Sequence, residues 1–201
     1  HANPCGVSES KKPINSFKDA YACDPISAFG GVVACNYKMR EDVALELTKN
    51  FMEVVMAKGF DIKSLNILKK KKNLRIIDIT KYKTKSSYSI KNFERSFLIQ
   101  DKNKIVIDRK KLRCVTKLKP NKKELAEIEF AFKISKYVKS NAIVLCNSFS
   151  TIGIGAGQPS RLDSCKLAIQ KAKQFQFKKI KNSVAASDAF FPFADGDETL
   201  A

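Results

Sequence analysis

The sequence predicts an α/β fold. Two observations carry that reading. Compact apolar runs of strand length alternate with amphipathic stretches of helical spacing, and strands alternating with helices pack as layers. Hydrophobic residues make up 44% of 201 positions, enough for the core of one large domain or two small ones and too many for a disordered basic tail.

Residues 14–22 read as a short helix, with Pro13 suited to its first turn because that position needs no amide donor. Gly31–Cys35 is a compact apolar run, expected as a buried strand. Residues 41–49 form an amphipathic helix with Val43, Ala44, Leu45 and Leu47 on its apolar side, and Met52–Ala57 a second buried strand. Residues 62–71 read as helical and 74–79 as a strand. The polar stretch 80–119 holds short apolar runs at 97–99, 105–107 and 113–116, each expected as a strand between charged turns. A boundary between two subdomains is expected near residues 117–121, giving units 1–119 and 120–201. Residues 122–139 give the clearest helix. Leu125, Ile128, Ala131, Ile134 and Val138 recur at helical spacing, and Asn121 with Glu124 forms a capping-box pattern. Strands are expected at 142–146 and 151–154, and a helix from Ser160, with Asp163 three residues on, to about residue 173. A last short strand falls at 184–186, and residues 197–201 read as the opening of a helix. No internal repeat is visible.

The chain carries 38 Lys and Arg against 20 Asp and Glu, a net charge of +18. Such basicity raises nucleic acid as a partner, but lysine runs without interleaved aromatics, such as 69–72, fit a solvated face. Six cysteines include no C-x-x-C pair, and the chain has one histidine, so a Cys/His zinc site is not expected. Cysteines inside apolar runs read as reduced, packed thiols of a cytosolic protein. No apolar run approaches the ~20 residues that span a bilayer.

Four segments look odd for plain structure. His1 precedes the turn-rich Asn3-Pro4-Cys5-Gly6, and an imidazole moves protons near neutral pH; a lone histidine is also commonly structural. Residues 24–31 combine Phe29, able to stack on a flat ring, with Gly30 and Gly31, which permit close backbone approach; a tight turn before a strand fits equally. Residues 139–141 lead into a strand and then the glycine-rich 153–157 and Arg161. A glycine-rich turn before a helix start suits an anion, and the guanidinium adds a fork for phosphate or carboxylate. The spacing matches neither a dinucleotide fingerprint nor a P-loop. In residues 185–195, three phenylalanines and the acids Asp188 and Asp195 surround a proline; such a loop can sandwich a planar ligand or cap a core.

Taken together, the segments HANPCGV, ACDPISAFGG, EVVMAKGF, KSNAIVLC, TIGIGAGQPSR and SDAFFPFAD resemble, in order, the transformylase domain of the bifunctional purine-biosynthesis enzymes, which pair it with an inosine monophosphate cyclohydrolase. The resemblance runs from the first residue nearly to the last. It implies a cytidine-deaminase-like layered fold in two subdomains. A zinc deaminase itself would need H-x-E and P-C-x-x-C; His1-Ala2-Asn3 and the single Pro4-Cys5 supply neither.

The resemblance implies transfer of a formyl group from 10-formyltetrahydrofolate to 5-aminoimidazole-4-carboxamide ribonucleotide, without a metal. His1 matches the family's base; the adjoining lysine would precede it. Asn141 matches a second catalytic position. Gly30, Glu53, Asn141, Arg161 and Phe190, with His1, match nucleotide contacts, and Leu162 and Asp195 match folate contacts. Glu53 stands where some members carry aspartate, and Lys58 where a proline is usual. The family implies a homodimer whose transformylase sites lie between subunits. Because the cyclohydrolase domain and further nucleotide-binding segments are not in this sequence, the chain alone is expected to be inactive. A basic nucleic-acid-binding module and a decayed, non-catalytic homologue are the rival readings.

Overall fold

The computed structural model describes residues 3–83, 87–103 and 107–200. His1 therefore lies outside the described residues, as does most of the strand expected at 105–107.

The first layer is built from parallel βαβ units. It comprises α1 (Pro13–Cys23), β1 (Gly31–Cys35), α2 (Glu41–Leu47), β2 (Met52–Ala57), α3 (Ile62–Leu68) and β3 (Arg75–Asp78), with strand order β1-β2-β3. Parallel neighbours need a crossover, and α2 and α3 supply it. Met39, Val43, Leu47, Val55 and Leu68 fill the core beneath the sheet. Asp61 starts α3 by accepting the Ser64 amide at 2.7 Å, and the Ser64 hydroxyl donates to the Met39 carbonyl at 3.1 Å, so the cap and the core are fixed together. β1 is not the buried strand the sequence predicts. It is an edge strand with one covered face, and Val32 is 61% exposed. The helices α2 and α3 end at residues 47 and 68, short of their expected ends, as does the helix expected at 122–139, which ends at Ser135.

A two-stranded antiparallel hairpin follows, β4 (Tyr88–Phe93) and β5 (Ser96–Asp101). The run at 97–99 lies in β5; its partner β4 is not evident from sequence. Opposed residues share a face, so Tyr88, Ile90, Phe97 and Ile99 line one side, and all four are exposed. The strand expected at 113–116 does not form. There the Thr116 hydroxyl donates to the Leu118 carbonyl at 2.6 Å, and the Cys114 thiol lies 3.4 Å from the Thr116 hydroxyl. These local side-chain bonds displace strand pairing.

The second layer is an antiparallel sheet between helices. It contains α4 (Lys122–Ser135), β6 (Ile143–Asn147), β7 (Ser150–Gly155), α5 (Arg161–Phe175), β8 (Val184–Ser187) and α6 (Asp195–Leu200), with strand order β7-β6-β8. The predicted capping box holds the start of α4: Asn121 accepts the Lys123 and Glu124 amides, and Glu124 accepts the Asn121 amide at 2.8 Å. β6 is covered on both faces. Val144 and Cys146 face a core with Ala131 and Ile134 of α4, whereas Ile143 and Leu145 face one with Cys165, Ala168 and Ala172 of α5. Ser8 bridges to Ser150, so the start of the chain runs beside β7.

Helix α1 joins the layers, with Phe17 in the first core and Cys23 in the second. At its end the buried Asp24 carboxylate accepts from Lys171 of α5 at 2.5 Å and from the Ser27 hydroxyl at 2.7 Å. All six cysteines are free thiols. Burial pushes the Cys23 thiol up to about 12. Among the described residues no helix is long and apolar enough to cross a membrane.

Candidate functional site

The glycine-rich segment is strand through Gly155 and turns only after it. Gly153 and Gly155 lie within β7, where α5 crosses at backbone contact. An added Cβ would meet the Ala168 carbonyl oxygen at 2.1 Å from Gly153 and the Ser164 carbonyl oxygen at 1.9 Å from Gly155. These glycines let strand and helix touch. Gly157 alone is a turn residue, with φ +67°.

What the turn does is bring Arg161, the first residue of α5, against the α4–β6 connection. The Arg161 Nη2 donates to Asn141 Oδ1 at 2.8 Å, and Nη1 donates to Asp188 Oδ1 at 2.6 Å and to the Ser187 hydroxyl at 2.7 Å. The guanidinium and the Asp188 carboxylate are mostly buried, at 11% and 18% exposed. Of the five N–H donors of an arginine, these bonds use three. The Nε–H and one Nη2 hydrogen have no partner among the described residues, and two free donors of one guanidinium suit an anionic oxygen pair.

Asn141 is held from every side. Its Nδ2 donates to the carbonyls of Gln158 at 3.0 Å and Pro159 at 2.9 Å, and its own carbonyl accepts from the Ser164 hydroxyl at 2.8 Å. Asp188 also accepts the Ala142 amide at 3.0 Å. Burial alone would raise the Asp188 carboxyl. Hydrogen bonds from Arg161, Ser140 and the Ala142 amide, with the charge of Arg161, outweigh it and hold the group below its usual range.

The same loops reach the start of the chain. The Lys139 amide donates to Asn3 Oδ1 at 2.6 Å, and Gly157 donates to the Lys139 carbonyl at 2.8 Å. Asn3 thus docks two residues before Asn141.

The phenylalanine-rich loop follows β8 and divides its rings. Phe191 packs into the core against α5, 6.0 Å from the Arg161 guanidinium, whereas Phe190 and Phe193 are 80% and 73% exposed. Leu162 is half-buried beside Arg161. Asp195 is exposed at the start of α6, its carboxylate accepting the Gly196 amide at 2.7 Å, and Gly196 lies against Phe191.

Gly30 and Glu53 belong to a separate group at the leading edge of the parallel sheet. Gly30 has φ +66° and donates to the Phe51 carbonyl at 2.9 Å; a Cβ there would lie 3.8 Å from Glu53 Oε1. Phe29 and Phe51 stack obliquely with centroids 5.1 Å apart, and Glu53 faces Arg75 at 3.9 Å. No hydrogen bond, ion pair or ring contact among the described residues joins this group to Asn141 and Arg161. The structure therefore brings together Asn141 and Arg161, with Leu162 adjacent in sequence and Phe190 and Asp195 on the segment that packs against α5, and it leaves Gly30 and Glu53 on another layer.

Asp188, singled out in the sequence only as one of two acids in the phenylalanine-rich loop, carries no assigned role there; the structure brings it to Arg161 and to the backbone next to Asn141. Among the described residues no group of His, Cys, Asp and Glu could hold a metal ion.

The fold and this polar cluster define an α/β protein with an arginine-centred site at the loop ends of its antiparallel sheet. The profile of the family described as the AICARFT/IMPCHase bienzyme matches residues 1–171. The bifunctional purine biosynthesis protein PurH of Thermoanaerobacter sp. (strain X514) is 45% identical over 195 residues, covering 97% of this chain and 37% of that protein. Those of Aquifex aeolicus and Elusimicrobium minutum are each 42% identical, covering 100% of this chain and 39% of theirs. The chain belongs to the AICARFT/IMPCHase bienzyme family, and it spans less than two-fifths of the length of these relatives.

Proposed function

We propose that this chain forms part of the formyltransferase unit of a bifunctional purine-biosynthesis enzyme. It acts in transfer of the formyl group of 10-formyltetrahydrofolate to the amine of 5-aminoimidazole-4-carboxamide ribonucleotide, in a protein that also carries the cyclohydrolase activity. The observation that carries the reading is the Asn141–Arg161–Asp188 cluster, to which Asn3 is tied through Lys139. The family resemblance, and not the described geometry, assigns His1 to the same ligand as Asn141.

The chemistry asks for such a pair. The acceptor amine is conjugated with an imidazole and a carboxamide, so its lone pair is delocalised and a proton must leave as nitrogen attacks the formyl carbon. His1 takes that proton. The carbon–nitrogen bond to the folate breaks, and the released nitrogen gains a proton. Asn141 orients the nucleotide, and the two Arg161 donors that have no partner among the described residues face its anionic or carbonyl oxygens. Phe190 offers an exposed ring to a planar ligand, and Leu162 and Asp195 border the folate side. The fold that suits these roles is cytidine-deaminase-like.

Gly30 and Glu53 complete the nucleotide contacts from a second copy. Their separation from Asn141 and Arg161 within one chain supports a homodimer with sites shared between subunits. The protein works in the cytosol.

The test uses the full-length protein. Tetrahydrofolate release is followed optically with and without the nucleotide, for wild type, His1→Ala and Asn141→Ala. Nucleotide-dependent release in wild type, lowered at least about 100-fold in either variant, is expected for loss of a positioned acid–base or orienting group. A folded wild-type protein without nucleotide-dependent release refutes the reading.

A further inference from the structure

We propose that Asp188 is a positioning residue for this transfer, holding the Arg161 guanidinium and, through it, the Asn141 side-chain amide in a single orientation. The inference rests on the formyltransferase reading above.

The geometry is a relay of three side chains from three elements. Asp188 follows β8, Arg161 opens α5, and Asn141 precedes β6. Asp188 Oδ1 accepts from Arg161 Nη1 at 2.6 Å and from the Ala142 amide at 3.0 Å, so one oxygen grips both the arginine and the backbone next to Asn141. Arg161 Nη2 then donates to Asn141 Oδ1 at 2.8 Å.

An asparagine amide has two ends of nearly equal shape, and its neighbours decide which way it points. Here the choice is forced. A guanidinium only donates, so the oxygen must face Arg161. The carbonyls of Gln158 and Pro159 only accept, so the nitrogen must face them. A turned amide would oppose donor to donor and acceptor to acceptor at once.

Asp188 is the counter-charge in this arrangement. No other carboxylate pairs with Arg161 among the described residues. Without it the guanidinium swings toward any bound anion and leaves Asn141 Oδ1 unbonded. The two effects have opposite signatures: misplacing Asn141 slows the chemical step, whereas an unpaired guanidinium favours anionic substrate. The turnover number therefore falls while the nucleotide KM holds or drops.

The experiment compares wild type, Asp188→Asn and Asp188→Glu of the full-length protein by steady-state kinetics and thermal unfolding. For Asp188→Asn a kcat about 10- to 100-fold lower is expected, the scale of a misplacement of about 1 Å, with nucleotide KM raised by no more than about 3-fold. Made in an Asn141→Ala background, the same change should lower kcat by less than about 2-fold, because residues acting as a unit are not additive. A lower Tm with kcat per folded site unchanged would make Asp188 merely structural and overturn the proposal. So would a raised KM at constant kcat, or full additivity with Asn141→Ala. Should Asp188→Asn fail to fold, Asp188→Glu decides. It keeps the charge and displaces it by one methylene. A several-fold fall in kcat at near wild-type Tm supports positioning, and unchanged kcat overturns it. Absence of transfer in wild type instead removes the functional reading, and this assignment with it.

Discussion

Replacing Gly155 with alanine tests the claim that this glycine lets β7 and α5 pack at backbone contact. The new Cβ would lie 1.9 Å from the Ser164 carbonyl oxygen, 2.7 Å from its carbon and 3.0 Å from its Cα. Carbon atoms rest at about 3.5–4.0 Å from one another. All three obstacles are backbone, so no side-chain rotation relieves the clash, and α5 must retreat from β7 by more than about 1 Å. Overpacking of a well-filled core costs about 1–3 kcal/mol, and a rigid helix backbone puts this site at the upper end, about 3 kcal/mol. For a chain of this size that lowers Tm by about 6–12 °C. Gly157 is the internal control. Its φ is +67°, but the nearest atom to an added Cβ is Lys139 Cδ at 3.6 Å, so it has room. Gly157→Ala meets only the left-handed backbone penalty, about 1 kcal/mol and about 2–4 °C. Thermal unfolding followed by near-ultraviolet circular dichroism measures both. The Gly155 variant should also disturb Asn141, whose carbonyl accepts from the Ser164 hydroxyl. A Gly155→Ala protein within about 2 °C of wild type, or less affected than Gly157→Ala, would refute the packing argument.

Lys171→Met should cost about 3 kcal/mol in urea unfolding, because Asp24 is 3% exposed and would keep its charge without its partner. Acid should weaken the fold through Asp24 and Asp188. In both, burial pushes the carboxyl up, but hydrogen bonds and positive charge, from Lys171 and Arg161 respectively, hold it below its ordinary value of 3.8. A depressed carboxyl contributes stability that is fully present above 3.8 and is lost as pH falls through the folded value. Urea midpoints should be flat on account of these groups above about pH 5 and fall below about pH 4, and Asp24→Asn should flatten that fall. Asn121→Ala removes the cap of α4 and should cost about 1 kcal/mol, read as a lower urea midpoint at unchanged slope.

The elements legible in the sequence are those whose signals are local. The capping box at Asn121 and Glu124 and the helical spacing from Leu125 to Ile134 are enough to specify α4. Pro13, the run Gly31–Cys35 and the run Met52–Ala57 place α1, β1 and β2 to within a residue. The hairpin strand β4 is not legible, because Tyr88, Ser89, Ile90, Lys91, Asn92 and Phe93 are exposed and lack a buried face to impose a pattern. Residues 113–116 have strand-like composition but find bonds within their own loop.

The sequence by itself determined the α/β class, most of the helices and strands, and, through six short segments in order, the family. It could also name Asn141 and Arg161, because motif resemblance acts one residue at a time. Only the tertiary structure decided what those residues touch. In one dimension Gly153 falls in the expected strand 151–154 and Gly155 in the turn after it; contact with Ala168 and Ser164, in a different element of the chain, makes both the seam between β7 and α5. Arg161 read as a free anion receptor, yet it spends three donors on Ser187, Asp188 and Asn141, each of them 20 or more residues away along the chain. The division of Gly30 and Glu53 from Asn141 and Arg161 was likewise invisible in a linear run of motifs. Partners distant in sequence are set by how layers pack, and a hydrogen bond depends on a separation of about 3 Å in space, which local spacing does not encode.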